Sequence, residues 1–173
     1  MDFQVIFDNF RSAVTNHYFD LHGRVGRAQF WYFILAFLVF SIAAAILQSV
    51  VFLPLLALYN LAMLFPVASM GARRLQDTGR DGKLIWIFIA VTFVFQFMAM
   101  MSVLSAMSFA FLGFLGFFIF GPMLLLFGLI KLIFLVVAVV LIYFCCQPGD
   151  AGDNAYGPPP PPFDPSRSVS PAP

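Results

Sequence analysis

A short charged segment, residues 73–83, separates two long apolar stretches of the chain. Six of its eleven residues are ionisable, although only 10% of the whole chain is charged. Hydrophobic residues make up 62% of the sequence, well above the roughly 45–50% of a soluble domain. The sequence therefore predicts an integral membrane protein, and the charged segment marks a place where the chain must meet water.

The apolar stretches predict an all-α protein with four transmembrane helices. The residues between Phe30 and Leu53 include no charged side chain, and a helix of that length reaches roughly 36 Å, enough to cross a core of about 30 Å. Pro54 ends this first stretch. We place the spans at about residues 30–53, 55–72, 84–107 and 123–146.

The section from residue 84 to residue 146 is long enough for three minimal spans instead of two, so five transmembrane helices in total are also possible. Lys131 is its single charged residue. Glycine and proline weaken helices, and a break is expected near Gly113, Gly116, Gly121 and Pro122. Two spans fit this section best, with a bent connection between them.

The distribution of basic residues predicts the orientation. Arg11, Arg24 and Arg27 precede the first span, and four basic residues lie in the charged segment, whereas the connection around Pro54 has none. Basic residues favour cytoplasmic loops. We therefore expect a multi-pass membrane protein with a cytoplasmic N-terminus.

Residues 1–22 have the pattern of an amphipathic helix. Phe3, Ile6, Phe7 and Phe10 recur at helical spacing, with polar residues between them. Such a helix can lie in the membrane interface with its apolar side chains in the acyl boundary. It can equally be a soluble helix packed on the protein's own cytosolic loop, and the pattern does not choose between the two.

Residues 147–173 have the composition of an extended, disordered tail. The segment is rich in glycine and proline and contains five consecutive prolines, residues 158–162. Such a segment buries little apolar surface and adopts polyproline II conformation, which can bind a partner groove. A solvated spacer is the favoured interpretation. The chain thus divides into residues 1–22, a membrane domain at 23–146, and this tail.

Arginines on the expected cytoplasmic side are the candidate functional residues. Each basic group near an anionic leaflet contributes about 1 kcal/mol, and the arginine fork suits phosphate groups. The candidates for binding a lipid headgroup or another anionic ligand are Arg24, Arg27, Arg73, Arg74 and Arg80. Asp77 and Asp81 are interpreted as structural partners, because Asp77 follows Arg74 by three positions and Arg73 by four on a helix.

Three parts of the chain resemble a known family. They are residues 23–31 with the pattern Gly-Arg-Val-Gly-Arg followed by Phe-Trp, residues 73–80, and the tail pattern Pro148, Gly149, Gly152, Asn154, Tyr156, Gly157. Together they resemble the bacterial inner-membrane family called domain of unknown function 805. The resemblance implies a small protein of four helices with both termini cytoplasmic, and no established activity. Gln76 stands where the family commonly has histidine, so a proton switch there is not expected.

No set of residues predicts an enzyme. Asp77 and Asp81 lack an accompanying His, Cys or Glu, and His17 and His22 are not placed for a metal site. We expect no metal and no cofactor. The formal net charge of +1 predicts no nucleic-acid binding.

The sequence favours a non-enzymatic membrane interaction or lipid-associated module, whose partners are the bilayer, anionic headgroups, or a second membrane protein. A transporter or channel component is the alternative, since Asn60, Gln96 and Lys131 are polar groups inside apolar helices. Small residues recur every four positions at Ser41, Ala45 and Ser49, and again at Ser102, Ala106 and Ala110. Such rows let helices approach closely, within the chain or in a homo-oligomer.

Overall fold

The computed structural model describes residues 3–51 and 55–163, and within 88–124 it describes only part of the side chains. These residues form helices and no strand, which confirms the all-α fold class. The helices are α1 (Phe3–Thr15), α2 (Arg27–Val51), α3 (Leu55–Asp77), α4 (Ile85–Leu112) and α5 (Phe114–Cys146), with a 3₁₀ turn at Gly82–Leu84.

Three segments of these helices are long and apolar enough to cross a membrane. They are Arg27–Val51, Leu55–Asp77 and Leu125–Cys146. Their side chains are largely exposed in the described structure, as expected for residues that face lipid. The protein is therefore membrane-embedded. The remaining expected span falls in α4, and the expected break at Pro54 lies outside the described residues.

The chain divides into two compact units. The first contains Met1–Ile85 and Phe144–Pro173, and the second contains Trp86–Tyr143. In the second unit, α4 and α5 are joined at Gly113, whose φ of 53° lies in the left-handed region that favours glycine. Of the four positions expected to break the helix, Gly113 is the one that does so, and Pro122 lies inside α5.

The N-terminal helix α1 packs against α2 in the first unit. The Phe10 ring lies 5.7 Å from the Phe33 ring and 5.0 Å from the Phe40 ring, measured between centroids. The side-chain amide of Asn9 donates a hydrogen bond to the Gln29 carbonyl at 3.0 Å. Packing on the protein's own chain thus accounts for the buried face of α1. Phe3, on the same helix, is exposed, and contact of this helix with the membrane interface stays a prediction.

The loop after α1 is held along α3 by hydrogen bonds. The Tyr18 hydroxyl donates to the Ala62 carbonyl at 2.8 Å, and the Ser69 hydroxyl donates to the His17 carbonyl at 3.1 Å. At the far end of the loop the Val25 amide donates to the Arg73 carbonyl at 3.2 Å. These contacts carry the loop past the end of α3, where Arg24 meets Asp77.

The row of small residues on α2 makes local bonds. The Ser41 hydroxyl donates to the Phe37 carbonyl at 2.8 Å, and the Ser49 hydroxyl donates to the Ile46 carbonyl at 2.6 Å. Ala45 is exposed between them. The side chains of the second row, residues 102, 106 and 110, lie outside the described part of the chain. Use of either row in oligomerisation stays a prediction.

A buried arginine–aspartate cluster as candidate functional site

Asp77, the last residue of α3, lies between two arginines. Arg24 Nε is 3.0 Å from Asp77 Oδ1, and Arg24 Nη2 is 2.9 Å from the same oxygen. Arg74, one turn earlier on α3, donates from Nη1 to Asp77 Oδ2. The side chains of Arg24, Arg74 and Asp77 are 1%, 0% and 4% exposed. The carboxylate is thus paired at both oxygens inside the protein.

The other donors of Arg24 are directed at the C-terminal tail. Nη1 donates to the Gly152 carbonyl at 2.7 Å and to the Gly157 carbonyl at 3.2 Å, and Nη2 donates to the Asp150 carbonyl. A guanidinium has five N–H donors in a fixed plane. Four carbonyls, including that of Asp77 at 3.5 Å from Nη2, and one carboxylate engage them here. One buried side chain therefore joins the N-terminal loop, α3 and the tail.

Arg74 binds the end of α5. Its Nε donates to the Cys145 carbonyl at 3.0 Å, its Nη2 to the Gln147 carbonyl, and its Nη1 also lies 3.5 Å from the Val25 carbonyl. The last carbonyls of a helix lack partners within the helix and carry partial negative charge. Arg74 engages one of them, that of Cys145, and the Gln147 carbonyl just after the helix, so it caps the end of α5 from a different helix.

The tail in turn caps α3. The Asp150 amide donates to the Asp77 carbonyl at 2.8 Å, and the Asn154 side chain donates to the Gln76 carbonyl at 2.9 Å. The same side-chain amide reaches Asp150 Oδ2 at 3.0 Å, and the Tyr156 amide donates to Asn154 Oδ1 at 2.9 Å. These bonds correct the expectation of a solvated spacer, at least for residues 147–157. Polar contacts hold this segment although it buries little apolar surface.

Close backbone approach explains two glycines of the cluster. A Cβ atom on Gly149 would lie 2.1 Å from Asp77 Oδ2, so no larger residue fits without displacing the carboxylate. Gly79 has a φ of 70°, and its amide donates to the Gln76 carbonyl at 3.1 Å. A left-handed glycine after a helix is a common C-terminal cap, and it lets the chain turn away after Asp77.

We call the described residues 20–27, 73–85 and 144–157 the polar cap. Two guanidinium groups and one carboxylate leave one net positive charge in its buried centre. Seven backbone carbonyls, four around Arg24 and three around Arg74, offset this charge, because their oxygens carry partial negative charge. Asp77 has both oxygens engaged, so it is poorly placed to accept a proton from a substrate. The arrangement is suited to holding three chain segments together.

Asp20 forms a second, smaller cluster at the edge of the polar cap. His17 Nδ1 lies 3.0 Å from Asp20 Oδ2, the His22 amide donates to Oδ1 at 3.1 Å, and Arg73 Nη1 lies 4.0 Å from Oδ2. Burial by itself raises the pKa of the Asp20 carboxyl, but the hydrogen bonds from His22 and His17 and the charge of Arg73 outweigh it. The pKa of Asp20 therefore lies below its ordinary value.

The structure divides the five candidate arginines by exposure. Arg24 and Arg74 are buried and engaged, which differs from the expectation that they face a headgroup. Arg73 contacts Asp20 rather than Asp77. Arg80 lies 4.0 Å above the Phe144 ring and donates to Gln147 Oε1 at 2.6 Å. Arg27, the first residue of α2, is exposed and keeps its place as a candidate for headgroup contact.

The candidate aspartates have different structural roles. The Arg74–Asp77 pair that the helical spacing allows is present, and Arg24 adds the long-range partner. Asp81 accepts a hydrogen bond from the Lys83 amide at 2.9 Å at the start of the 3₁₀ turn. The Lys83 ammonium lies 4.0 Å from the Asp81 carboxylate, and both side chains are exposed.

The polar residues expected inside the membrane are spread over the two units. Asn60 lies on α3 in the first unit, while Gln96 on α4 and Lys131 on α5 belong to the second. Asn60 and Lys131 are partly buried and Gln96 is exposed. Within the described residues, no group of three or more His, Cys, Asp or Glu side chains is arranged to hold a metal ion.

Sequence reasoning missed the tail as part of the site. Gly149, Asp150 and Asn154 each contact the end of α3, and composition alone assigned them to a mobile segment. The signal that could have identified these residues was the set of glycines together with Asn154 and Tyr156 between Pro148 and Gly157. Such specific residues are not needed in a spacer, but they are needed where a backbone approaches a buried carboxylate.

Comparison with known proteins agrees with the three regions that form the polar cap. The family model described as protein of unknown function (DUF805) matches residues 18–158. This range covers the loop with Arg24, the end of α3 and the tail as far as the first of the five prolines. Neither the curated proteins nor the solved structures include a match. The chain belongs to the DUF805 family.

Proposed function

We propose that the protein is a multi-pass inner-membrane module that presents a rigid polar cap at the cytoplasmic face for contact with anionic headgroups and with a partner. The function is non-enzymatic. The observation that carries this proposal is the burial of Arg24, Asp77 and Arg74 in contacts that join three distant segments. A buried ion cluster of this kind is costly to assemble and serves uniqueness of structure in some proteins.

Contacts within the polar cap support four membrane crossings. Arg24 and Asp77 touch, so the chain between them crosses an even number of times, which α2 and α3 supply. Asp77 and Asp150 also touch, so the chain between them must cross an even number of times as well. One crossing is available in Leu125–Cys146, and α4 supplies the other with a length of about 42 Å.

On this proposal the N-terminal loop and the start of the tail lie on one side of the membrane, which their shared contacts support. The basic residues of this side include Arg27 and Lys83, both exposed. The positive-inside rule makes that side cytoplasmic. With Arg24 and Arg74 engaged internally, the headgroup contact passes to the exposed pair.

Single-cysteine labelling tests the arrangement. In a background that lacks Cys145 and Cys146, cysteines replace Arg11, Lys83 and Asp153, which are exposed positions. An impermeant reagent should label all three from the cytoplasmic face alone. Val51→Cys, at the other end of α2, is the control that should react from the opposite face. If Asp153→Cys is labelled from the same face as Val51→Cys, and not from the same face as Lys83→Cys, four crossings are refuted.

The lipid part of the proposal has its own experiment. The thermal unfolding midpoint is measured in neutral nanodiscs and in nanodiscs that contain phosphatidylglycerol. The wild-type protein should gain stability from the anionic lipid, and Arg27→Ala combined with Lys83→Ala should lose most of that gain. Arg11→Ala is the matched single-charge control on α1. Equal gains in the double variant and the wild type would end the headgroup assignment.

Solute transport is the alternative that the sequence leaves open. Its candidate residues, Asn60, Gln96 and Lys131, do not share a described contact, so transport stays a prediction. Flux into vesicles that depends on one of these three residues would favour it.

A further inference from the structure

The five consecutive prolines after the polar cap lie beside the loop that precedes α2 and beside the start of that helix. The Gly157 carbonyl accepts the hydrogen bond from Arg24 Nη1. A Cβ atom on Gly26 would lie 3.7 Å from Cγ of Pro160, which is ordinary van der Waals contact. The Phe163 ring lies 5.5 Å from the Tyr32 ring. The attachments therefore recur at residues 157, 160 and 163.

This spacing of three residues equals one turn of a polyproline II helix. A proline fixes its own φ and disfavours helical backbone in the residue before it, so five prolines in succession adopt this conformation. Gly157, Pro160 and Phe163 are partly buried, whereas residues 158, 159, 161 and 162 are exposed. One face of the polyproline helix thus contacts the protein, and the other two face outward.

The dimensions of the two segments agree. From Pro160 to Phe163 a polyproline II helix rises about 9.3 Å. From Gly26, just before α2, to Tyr32 within it, a helical rise covers about 9 Å. The prolines therefore run beside the start of α2 over the length needed to reach Tyr32, and both anchors can be met without bending either segment.

The outward faces offer a repeated chemical pattern. Pro158 is aligned with Pro161, and Pro159 with Pro162, which gives two pairs at the spacing of a P-x-x-P motif. Within the described residues no hydrogen bond reaches the carbonyls of 158–162, and prolines have no amide hydrogen to donate. Such carbonyls need water or donors from a partner, which disfavours burial of this segment in hydrocarbon.

We propose that residues 158–162 form a preformed polyproline ridge that docks a cytoplasmic protein with an aromatic-lined groove. Stacked proline rings fit between aromatic side chains, and tyrosine or tryptophan donors in such a groove bond the free carbonyls. Anchoring removes conformational freedom before binding and so lowers the cost of association. This inference rests on the proposed role of the polar cap as a docking surface on the cytoplasmic side.

The anchored ridge makes a prediction that a free peptide does not. In a free polyproline peptide every face is open to a partner. In the intact protein Pro160 is partly buried beside Gly26, whereas Pro159 and Pro162 are exposed. Replacement of an outward pair should therefore weaken binding much more than replacement of the inward proline.

The experiment titrates intact protein in nanodiscs with a purified WW domain, a small probe that binds short polyproline ligands. Wild-type protein should bind, and Pro159→Ala with Pro162→Ala should raise Kd at least about tenfold. Pro160→Ala should raise it less than about threefold. Asp153→Asn, an exposed change on the same tail, should leave it unchanged. A second outward pair, Pro158→Ala with Pro161→Ala, repeats the test with different residues.

Several outcomes would overturn the ridge. If Pro160→Ala weakened binding of the WW domain as much as the outward double substitutions, the probe would be binding a detached tail. Binding in detergent that disappears in nanodiscs would mean that lipid covers the prolines. No binding in either medium would reject the site. Each of these leaves the polar cap in place if Asp153→Cys and Lys83→Cys still label from one side, and opposite labelling would remove both proposals together.

A photo-crosslinker at Pro159 extends the test to the cell that expresses the protein. It should yield a protein adduct that excess Pro-Pro-Pro-Pro-Pro peptide suppresses, and the same crosslinker at Pro160 should react within the chain. Adducts at Pro159 that the peptide does not suppress, or that contain lipid, would contradict docking by a polyproline-binding groove.

Discussion

Nε of Arg24 lies 3.0 Å from Oδ1 of Asp77, although the two residues are 53 positions apart in the sequence. Both side chains are almost completely buried. This contact ties the loop before the first span to the end of the second, and the tail closes over both.

The two partners should differ in their effect on stability. Arg24→Gln leaves a neutral Arg74–Asp77 pair, whereas Asp77→Asn leaves two buried arginines without a carboxylate. Breaking a buried pair costs about 3–5 kcal/mol, and Asp77→Asn should lie at the upper end of that range. Unfolding free energies in detergent test the order, with exposed Arg27→Ala as the control within about 0.5 kcal/mol of wild type. If Arg24→Gln lowered the unfolding free energy more than Asp77→Asn, the buried net charge would not be what decides the order.

Gly149 and Gly152 form a matched pair of positions in the tail. A Cβ atom on Gly149 would lie 2.1 Å from Asp77 Oδ2, while one on Gly152 would meet nothing within 4 Å. Gly149→Ala should therefore destabilise the protein by about 1–3 kcal/mol, and Gly152→Ala should be near neutral. The thermal unfolding midpoints of the two variants test this. Similar midpoints would mean that the tail does not approach Asp77 as described.

Truncation separates the anchored tail from the residues beyond it. A chain that ends at Gln147 loses the carbonyls of Asp150, Gly152 and Gly157 that Arg24 binds, so a buried guanidinium is left with unmet donors. We expect a loss of more than about 2 kcal/mol and faster proteolysis after Arg24. A chain that ends at Phe163 keeps every described tail contact and should match the full-length protein. If both truncations behave alike, the tail has no structural role.

Asp20 should make the loop sensitive to acid. Its pKa is lowered in the folded state, so its contribution to stability is present above the ordinary value of 3.8 and is lost as pH falls through the folded-state value. Asp20→Asn should therefore be less stable than wild type at neutral pH. The difference should shrink below pH 3.8. A difference that persists at lower pH would assign the effect to packing instead of charge.

Part of the fold could be predicted from local pattern. The apolar runs predicted α2 and α3, and the helical spacing of Phe3, Ile6 and Phe10 predicted α1. The glycine-rich stretch near Gly113 predicted a break in the third section. Each of these depends on residues close in sequence, where side-chain period and backbone preference decide the outcome.

The candidate site was predictable only in part. Arg74 and Asp77 lie one turn apart, so helical spacing placed them together. Arg24 and Gly149 reach Asp77 across long separations, and composition marked one as exposed and the other as part of a mobile tail. The expectation that Arg24 faces a headgroup assumed that a charged side chain remains in water. Arg24 is instead buried, because the Asp77 carboxylate and the tail carbonyls replace its contacts with water.

Sequence by itself determined that this is a helical membrane protein with every charge except that of Lys131 outside the apolar stretches, because hydrocarbon admits helices and disfavours unpaired polar groups. It also determined the family, through motifs in three separate regions. Only the tertiary structure decided what those motifs do, since Arg24, Asp77 and the tail carbonyls meet through contacts that no local pattern encodes. Desolvation makes each buried charge depend on all its partners at once, and those partners are known only when the chain is folded.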